Sequence, residues 1–193
     1  MSRSVVLVPL VIGLGLGAVA LWQGAAARLT ALPVYGQVPA FALIDHRGQP
    51  VSQETLRGTP WIADFIFTRC AGQCPMMSAQ MATIASAVPQ GVRLISITVD
   101  PSWDTPEVLT RYAETYATDA RWLFVTGDPE AIRRLCQEGF RLSVSEDGAS
   151  AREPITHSTR LVLVDRQGRI RGYYEATDEA AVRQLRRDLR RVL

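Results

Sequence analysis

The chain has 193 residues, and its 21 Lys and Arg against 19 Asp and Glu leave a net charge of +2. That balance is too even for the basic surface a nucleic-acid partner requires. After an apolar start is set aside, the length suits one globular domain whose core needs no disulfide staple.

Val5 to Trp22 form an uncharged run of eighteen residues, at the lower end of what crosses a bilayer as a helix. Residues 1–24 are therefore read as a membrane anchor. A cleaved export signal is the rival reading, because Ala25, Ala26 and Ala27 offer small residues. The run is longer, however, than the roughly 7 to 15 apolar residues of such a signal. Either reading exports the domain, and nothing resembles an Arg- and Ser-rich transit peptide, which favours a bacterial source. Residues 25–37 carry Gly, Ala and Pro without periodicity and read as a linker, with the folded domain expected over 38–193.

Within that domain, Phe41 to Leu43 and the segment around Val51 flank Asp45-His46-Arg47-Gly48, a hairpin turn by its chemistry. Trp61 to Thr68 is rich in aromatic and β-branched residues and reads as a strand running into Cys70. Met77, Met81, Ile84 and Val88 then recur at helical spacing until Pro89 and Gly91. Val92 to Val99 and Trp122 to Val125 read as buried strands. Thr105-Pro106-Glu107 and Asp128-Pro129-Glu130 each combine a cap, a first-turn proline and an acid favourable to the helix dipole. The second of these helices is expected to end at Gly139 as a C-terminal cap. Leu161 to Val164 and Ile170 to Tyr174 form a second hairpin around Asp165 to Gly168, and Val182, Leu185, Leu189 and Val192 mark the inner face of a last helix. The alternation predicts an α/β fold, a mixed sheet flanked by helices in a thioredoxin-like layout, preceded by one transmembrane helix.

The chemistry gathers at Cys70-Ala71-Gly72-Gln73-Cys74-Pro75. Between a strand end and a helix start, open backbone N–H groups and the helix dipole favour thiolates, so both thiols are expected to be reactive or metal-binding, with Cys74 near the cap. The spacer of three residues is one longer than the redox Cys-x-x-Cys loop and leaves room for a shared ion. Two soft thiolates suit Cu(I), and one added imidazole gives a set that also holds Cu(II). Of the two histidines, His46 lies in the hairpin turn, whereas His157 precedes a strong strand whose leading loop should lie beside the cysteines. His157 is thus the candidate third ligand, with a purely structural histidine as the competing reading.

Several segments together resemble the Sco/SenC proteins, copper-handling factors for the dinuclear copper centre of cytochrome c oxidase. They are Phe65-Ile66-Phe67-Thr68-Arg69-Cys70 with Cys74-Pro75, Ser96 to Pro101 with Asp104-Thr105-Pro106, Thr126-Gly127, and Thr156-His157-Ser158 leading to Leu163-Val164-Asp165. The resemblance spans Val38 to Leu193. It implies copper held by Cys70, Cys74 and His157, a redox-active dithiol, and the oxidase copper subunit as partner. Many members carry Pro directly after the first cysteine, where this chain has Ala71.

The expectation is a metallochaperone, not an enzyme with turnover, on the outer, periplasmic side of a bacterial cytoplasmic membrane. The alternative is a membrane-anchored thiol-disulfide reductase acting on the cysteines of the same subunit. A thiol peroxidase fits less well because Thr68 and Cys70 lack Thr-x-x-Cys spacing, and two cysteines with one histidine leave a structural zinc site short of a ligand. Around the site, Asp64 sits inside an apolar strand and must find a partner or neutralise, as a structural salt bridge or a group near copper. Asp100 either lines the site or caps its turn. Met76, Met77 and Met81 read as core packing rather than a copper relay, and Cys136 as a buried, inert thiol. Arg183, Arg186, Arg187, Arg190 and Arg191 read as the solvated face of the last helix. Oligomeric state is not legible in the sequence.

Overall fold

The structure is a computed structural model, and it describes residues 31–117, 119–142 and 158–193. The apolar run assigned as an anchor lies outside these residues; among the described ones, no helix is long and apolar enough to cross a membrane. Pro33–Leu193 forms one compact unit.

Its centre is an eight-stranded sheet in the order β1-β8-β7-β4-β5-β6-β2-β3. The strands are β1 (Gly36–Gln37), β2 (Ala42–Asp45), β3 (Pro50–Ser52), β4 (Trp61–Ile66), β5 (Arg93–Thr98), β6 (Trp122–Thr126), β7 (Arg160–Val164) and β8 (Arg169–Glu175). The helices are α1 (Gln53–Leu56), α2 (Gln73–Ala87), α3 (Pro106–Tyr116), α4 (Pro129–Arg134) and α5 (Glu179–Leu189). The strand β1 falls in the stretch read as linker and pairs with β8.

β4, β5 and β6 run parallel, joined by α2 and α3, while the hairpins β2-β3 and β7-β8 add antiparallel strands on either side. Both edges are blunted: β1 has two residues, and β3 starts on Pro50, which offers no N–H to a further strand. Both hairpins turn where expected, through Gly48 and Gly168, whose positive φ of 75° and 77° suits glycine. Every residue of β4 and β6 is buried, so the central sheet is covered on both faces.

Register separates those faces. Asp64 lies opposite Ser96, which lies opposite Phe124. Side chains alternate along a strand, so Ile62, Asp64 and Ile66 share a face with Leu94, Ser96, Thr98, Trp122 and Phe124. α3 lies over this face, its Tyr112 ring 5.8 Å from Phe124, and α2 packs beside α3 through a 2.9 Å hydrogen bond between Ser78 and Tyr112. Trp61 and Phe65 point the other way and meet Phe140 edge-on at 5.9 and 5.0 Å.

Both proline-led helices begin as read, with Thr105 and Asp128 accepting from Val108 N and Ala131 N. The end of α4 differs from the expectation. It widens into a turn over Leu135–Gly139, with Phe140 N donating to Leu135 O, and the positive φ, 54°, falls on Arg141. Gly139 is small for a steric reason: a Cβ there would come within 2.8 Å of Pro39 Cδ and 3.2 Å of Leu135 Cδ1. Gly139→Ala should therefore cost on the order of 1 to 3 kcal/mol, as overpacking against a rigid ring does. Gly91→Ala, with nothing within 4 Å, should be near neutral, and thermal unfolding of the two variants side by side checks the contrast.

Candidate functional site

β4 ends at Ile66 and the chain turns at once, Cys70 N donating to Phe67 O at 3.2 Å, before entering α2. Gly72 occupies the N-cap of α2 and supplies no side-chain bond to the open amides. A sulfur takes that role: Cys74 N donates to Cys70 Sγ at 3.5 Å. Cys74 is thus the second residue inside the helix rather than at its cap. This bond sets Cys70 Sγ against the open first turn of α2.

Cys70, Cys74 and Cys136 are all free of disulfides and buried. The expectation that both site thiols lean toward thiolate is not met at Cys74. Burial pushes its thiol well above the ordinary cysteine range, and although a backbone hydrogen bond with Phe67 works against this, Cys70 and Asp64 add to the rise. Desolvation wins because Cys74 is fully enclosed in the first turn of α2. A cation brought to the pair reverses that logic by replacing the proton, and Cu(I) is the soft ion such a donor pair suits.

Asp64 lies in the sheet on the face that α2 and α3 cover. Fully buried, it has no ion-pair partner among the described residues, so the expected salt bridge is absent. Instead Ser96 Oγ donates to Asp64 Oδ1 at 2.6 Å and accepts from Trp122 Nε1 at 2.8 Å. Asp64 Oδ2 is enclosed without a hydrogen bond among the described residues. Burial lifts this carboxyl from 3.8 to about 7, so the group neutralises rather than pairs.

Asp100 follows β5 and faces the residue preceding Cys70. Its Oδ2 accepts from Arg69 Nε at 2.9 Å and Nη2 at 2.5 Å, while the same guanidinium lies 5.0 Å over the Trp103 ring. Trp103 is 54% exposed and Met76 51%. Met77 and Met81 are fully buried, as core packing requires, and Met76 alone of the three turns outward.

His157 lies outside the described residues, and among those described no group of three His, Cys, Asp or Glu side chains is gathered to hold a metal ion. His46 is structural: its Nδ1 accepts from Phe124 N at 3.3 Å and its ring meets Phe124 edge-on at 5.8 Å. Burial holds its pKa below the ordinary histidine value. Cys136 is enclosed, its thiol pushed up to about 12 by burial. The solvated-face reading of the last helix holds in part: Arg183 and Arg191 pair with Glu179 and Asp188, but Arg186 Nε is enclosed. Sequence reasoning gave no role to Ser96, Trp122, Arg69 or Asp104. Arg69, Ser96 and Asp104 stand inside the segments that carry the family resemblance, but their roles are not legible there, because their partners, like that of Trp122, lie about 30 positions away along the chain.

Comparison with known proteins bears on the family and the fold. The SCO1/SenC family profile matches residues 34–193. The SCO1 protein homolog of Bacillus subtilis is 30% identical over 151 residues, covering 76% of this chain and 77% of that one. The structure of Bradyrhizobium japonicum ScoI with copper bound superposes with a TM-score of 0.69 at 26% identity, covering 81% of this chain and 99% of the other. BsSco, in which a disulfide switch has been identified and which is a member of the Sco family of cytochrome c oxidase assembly proteins, gives 0.71 at 28%, covering 83% and 96%. The profile takes in both cysteines, both hairpins and the whole sheet, and the chain belongs to the SCO1/SenC family.

Proposed function

We propose that this protein is a copper metallochaperone that holds copper through Cys70, Cys74 and His157 and delivers it to the dinuclear centre of the oxidase copper subunit. The observation that carries the reading is the enclosed thiol pair at the start of α2, with Cys70 Sγ already hydrogen-bonded to Cys74 N. Copper is bound in a family member of the same fold at 26% identity, and BsSco at 28% belongs to a family of oxidase assembly proteins. Two thiolates give Cu(I) its preferred donors, and the His157 imidazole extends the set to Cu(II). The apolar run Val5 to Trp22 holds the domain to the outer face of a bacterial cytoplasmic membrane.

A second reading, thiol-disulfide reductase on the same target, is favoured by the disulfide switch of BsSco and by the closeness of the two cysteines here. One mixing experiment separates them. Copper-loaded protein is added to the reduced, metal-free copper domain of an oxidase subunit, and the absorption of the dinuclear centre is followed. Appearance of that absorption with loss of copper from the donor is the expected result. Absence of transfer, together with reduction of a pre-oxidised target by the metal-free protein, would replace the chaperone with the reductase.

A further inference from the structure

The turn after β5 grips the two residues that precede Cys70. Asp104 is fully buried, and its carboxylate accepts from Thr68 N at 3.1 Å and from the Thr68 and Thr98 hydroxyls, each at 2.5 Å. Asp104 N in turn donates to Asp100 O at 2.9 Å, and Asp100 N donates to Thr98 Oγ1 at 3.0 Å. Asp100 meanwhile holds Arg69. Two consecutive residues of the cysteine loop are thus tied to two carboxylates of one turn, which itself is tied to the end of β5. Burial of an acid this deep is costly, and three donors converging on it offset that cost. Such a cluster fixes geometry where an apolar contact would leave the loop free to slide.

We infer that Asp104 is a positioning residue for the dithiol: by clamping Thr68 it sets where Cys70 Sγ sits relative to Cys74. The inference deepens the proposed copper reading and rests on it for the metal, though not for the thiols. With both cysteines reduced, the clamp holds the loop in the form in which Cys70 Sγ accepts from Cys74 N. Releasing it therefore weakens the reduced, metal-ready state relative to the disulfide. Oxidation removes two electrons and two protons from Cys70 and Cys74 and forms one S–S bond. With a dithiothreitol couple as reference, those electrons and protons pass to oxidised dithiothreitol.

The test compares wild type, Asp104→Ala, Thr68→Val and Thr68→Ser in the full-length protein. Three quantities are read: the dithiol midpoint potential, Cu(I) affinity against a chromophoric competitor, and thermal unfolding. Asp104→Ala and Thr68→Val should each weaken Cu(I) binding on the order of tenfold, as loss of a group supporting a ligand does. They should also shift the thiol-disulfide equilibrium about tenfold toward the disulfide, a potential about 30 mV more negative. Thr68→Ser, which keeps the hydroxyl, should restore both. If Asp104→Ala does not fold, the Thr68 pair decides. A lower unfolding temperature with unchanged potential and affinity would make Asp104 a support of the fold alone and overturn the inference, as would Thr68→Ser behaving like Thr68→Val. Should wild type bind no copper, the chaperone reading fails while the potential still decides the clamp.

Discussion

Replacing Cys70 or Cys74 with Ala should abolish tight one-to-one Cu(I) binding, and His157→Ala should weaken it and remove the Cu(II) site. In the proposed copper site each sulfur would contribute a full metal bond, so its loss should exceed the roughly 10- to 100-fold cost of removing a group one layer out. Cys74 is the more telling position. Its thiol is fully enclosed, and burial holds the proton on it far more tightly than on an ordinary cysteine. Metal binding must displace that proton, so affinity should rise with pH and release a proton measurable in weakly buffered titrations. The measurement is anaerobic titration of the reduced protein against a chromophoric Cu(I) ligand. Binding in His157→Ala indistinguishable from wild type would remove the histidine from the ligand set and move the case toward a dithiol reductase.

The second large effect concerns stability. Asp64→Asn should make the metal-free protein more resistant to unfolding at pH 8.5, relative to wild type, than it does at pH 5. The folded carboxyl titrates at about 7 against an ordinary 3.8, so between those values the folded state keeps a proton that the unfolded chain has released. Its stabilising contribution is complete below about pH 4, declines as pH rises, and is lost above about pH 7. Each tenfold in proton affinity is about 1.4 kcal/mol, so the full titration is worth on the order of 4 kcal/mol and the part that falls between pH 5 and 8.5 about 3 kcal/mol. In a domain of this size those roughly 3 kcal/mol correspond to about 8 °C in unfolding temperature. The uncharged amide keeps the acceptor for Ser96 and carries no titrating proton, so the pH dependence should vanish with it. Parallel unfolding curves for the two proteins from pH 5 to 8.5 would show that Asp64 is not the buried group that titrates.

Asp64 also shows where reading a sequence stops. An acid inside WIADFI must be satisfied or neutral, and that much comes from desolvation alone. Which of the two holds depended on Ser96, brought opposite by strand register 32 residues away. A hydroxyl cannot neutralise a carboxylate, and no cation reaches it among the described residues. Gly139 teaches the same lesson about helix ends. A glycine closing an apolar helical pattern suggests a left-handed cap, but Pro39, 100 residues earlier, required a residue without a Cβ at that point. Arg141 took the positive φ instead.

The sequence by itself determined the longer local elements and their order, though not the short β1 or α1. Alternating and helical periodicities, two glycine turns and two Thr/Asp-Pro starts act over a few residues, where backbone sterics and hydrogen bonding leave little choice. It also determined the identity of the two thiols, because Cys70 and Cys74 lie on one loop and their spacing is covalent. Tertiary structure decided everything that depends on residues far apart in the chain. It set the neutral state of Asp64, the grip of Asp104 and Asp100 on Thr68 and Arg69, and the enclosure that keeps Cys74 protonated. Those are effects of desolvation and of partners supplied across strands, and neither exists until the sheet has closed.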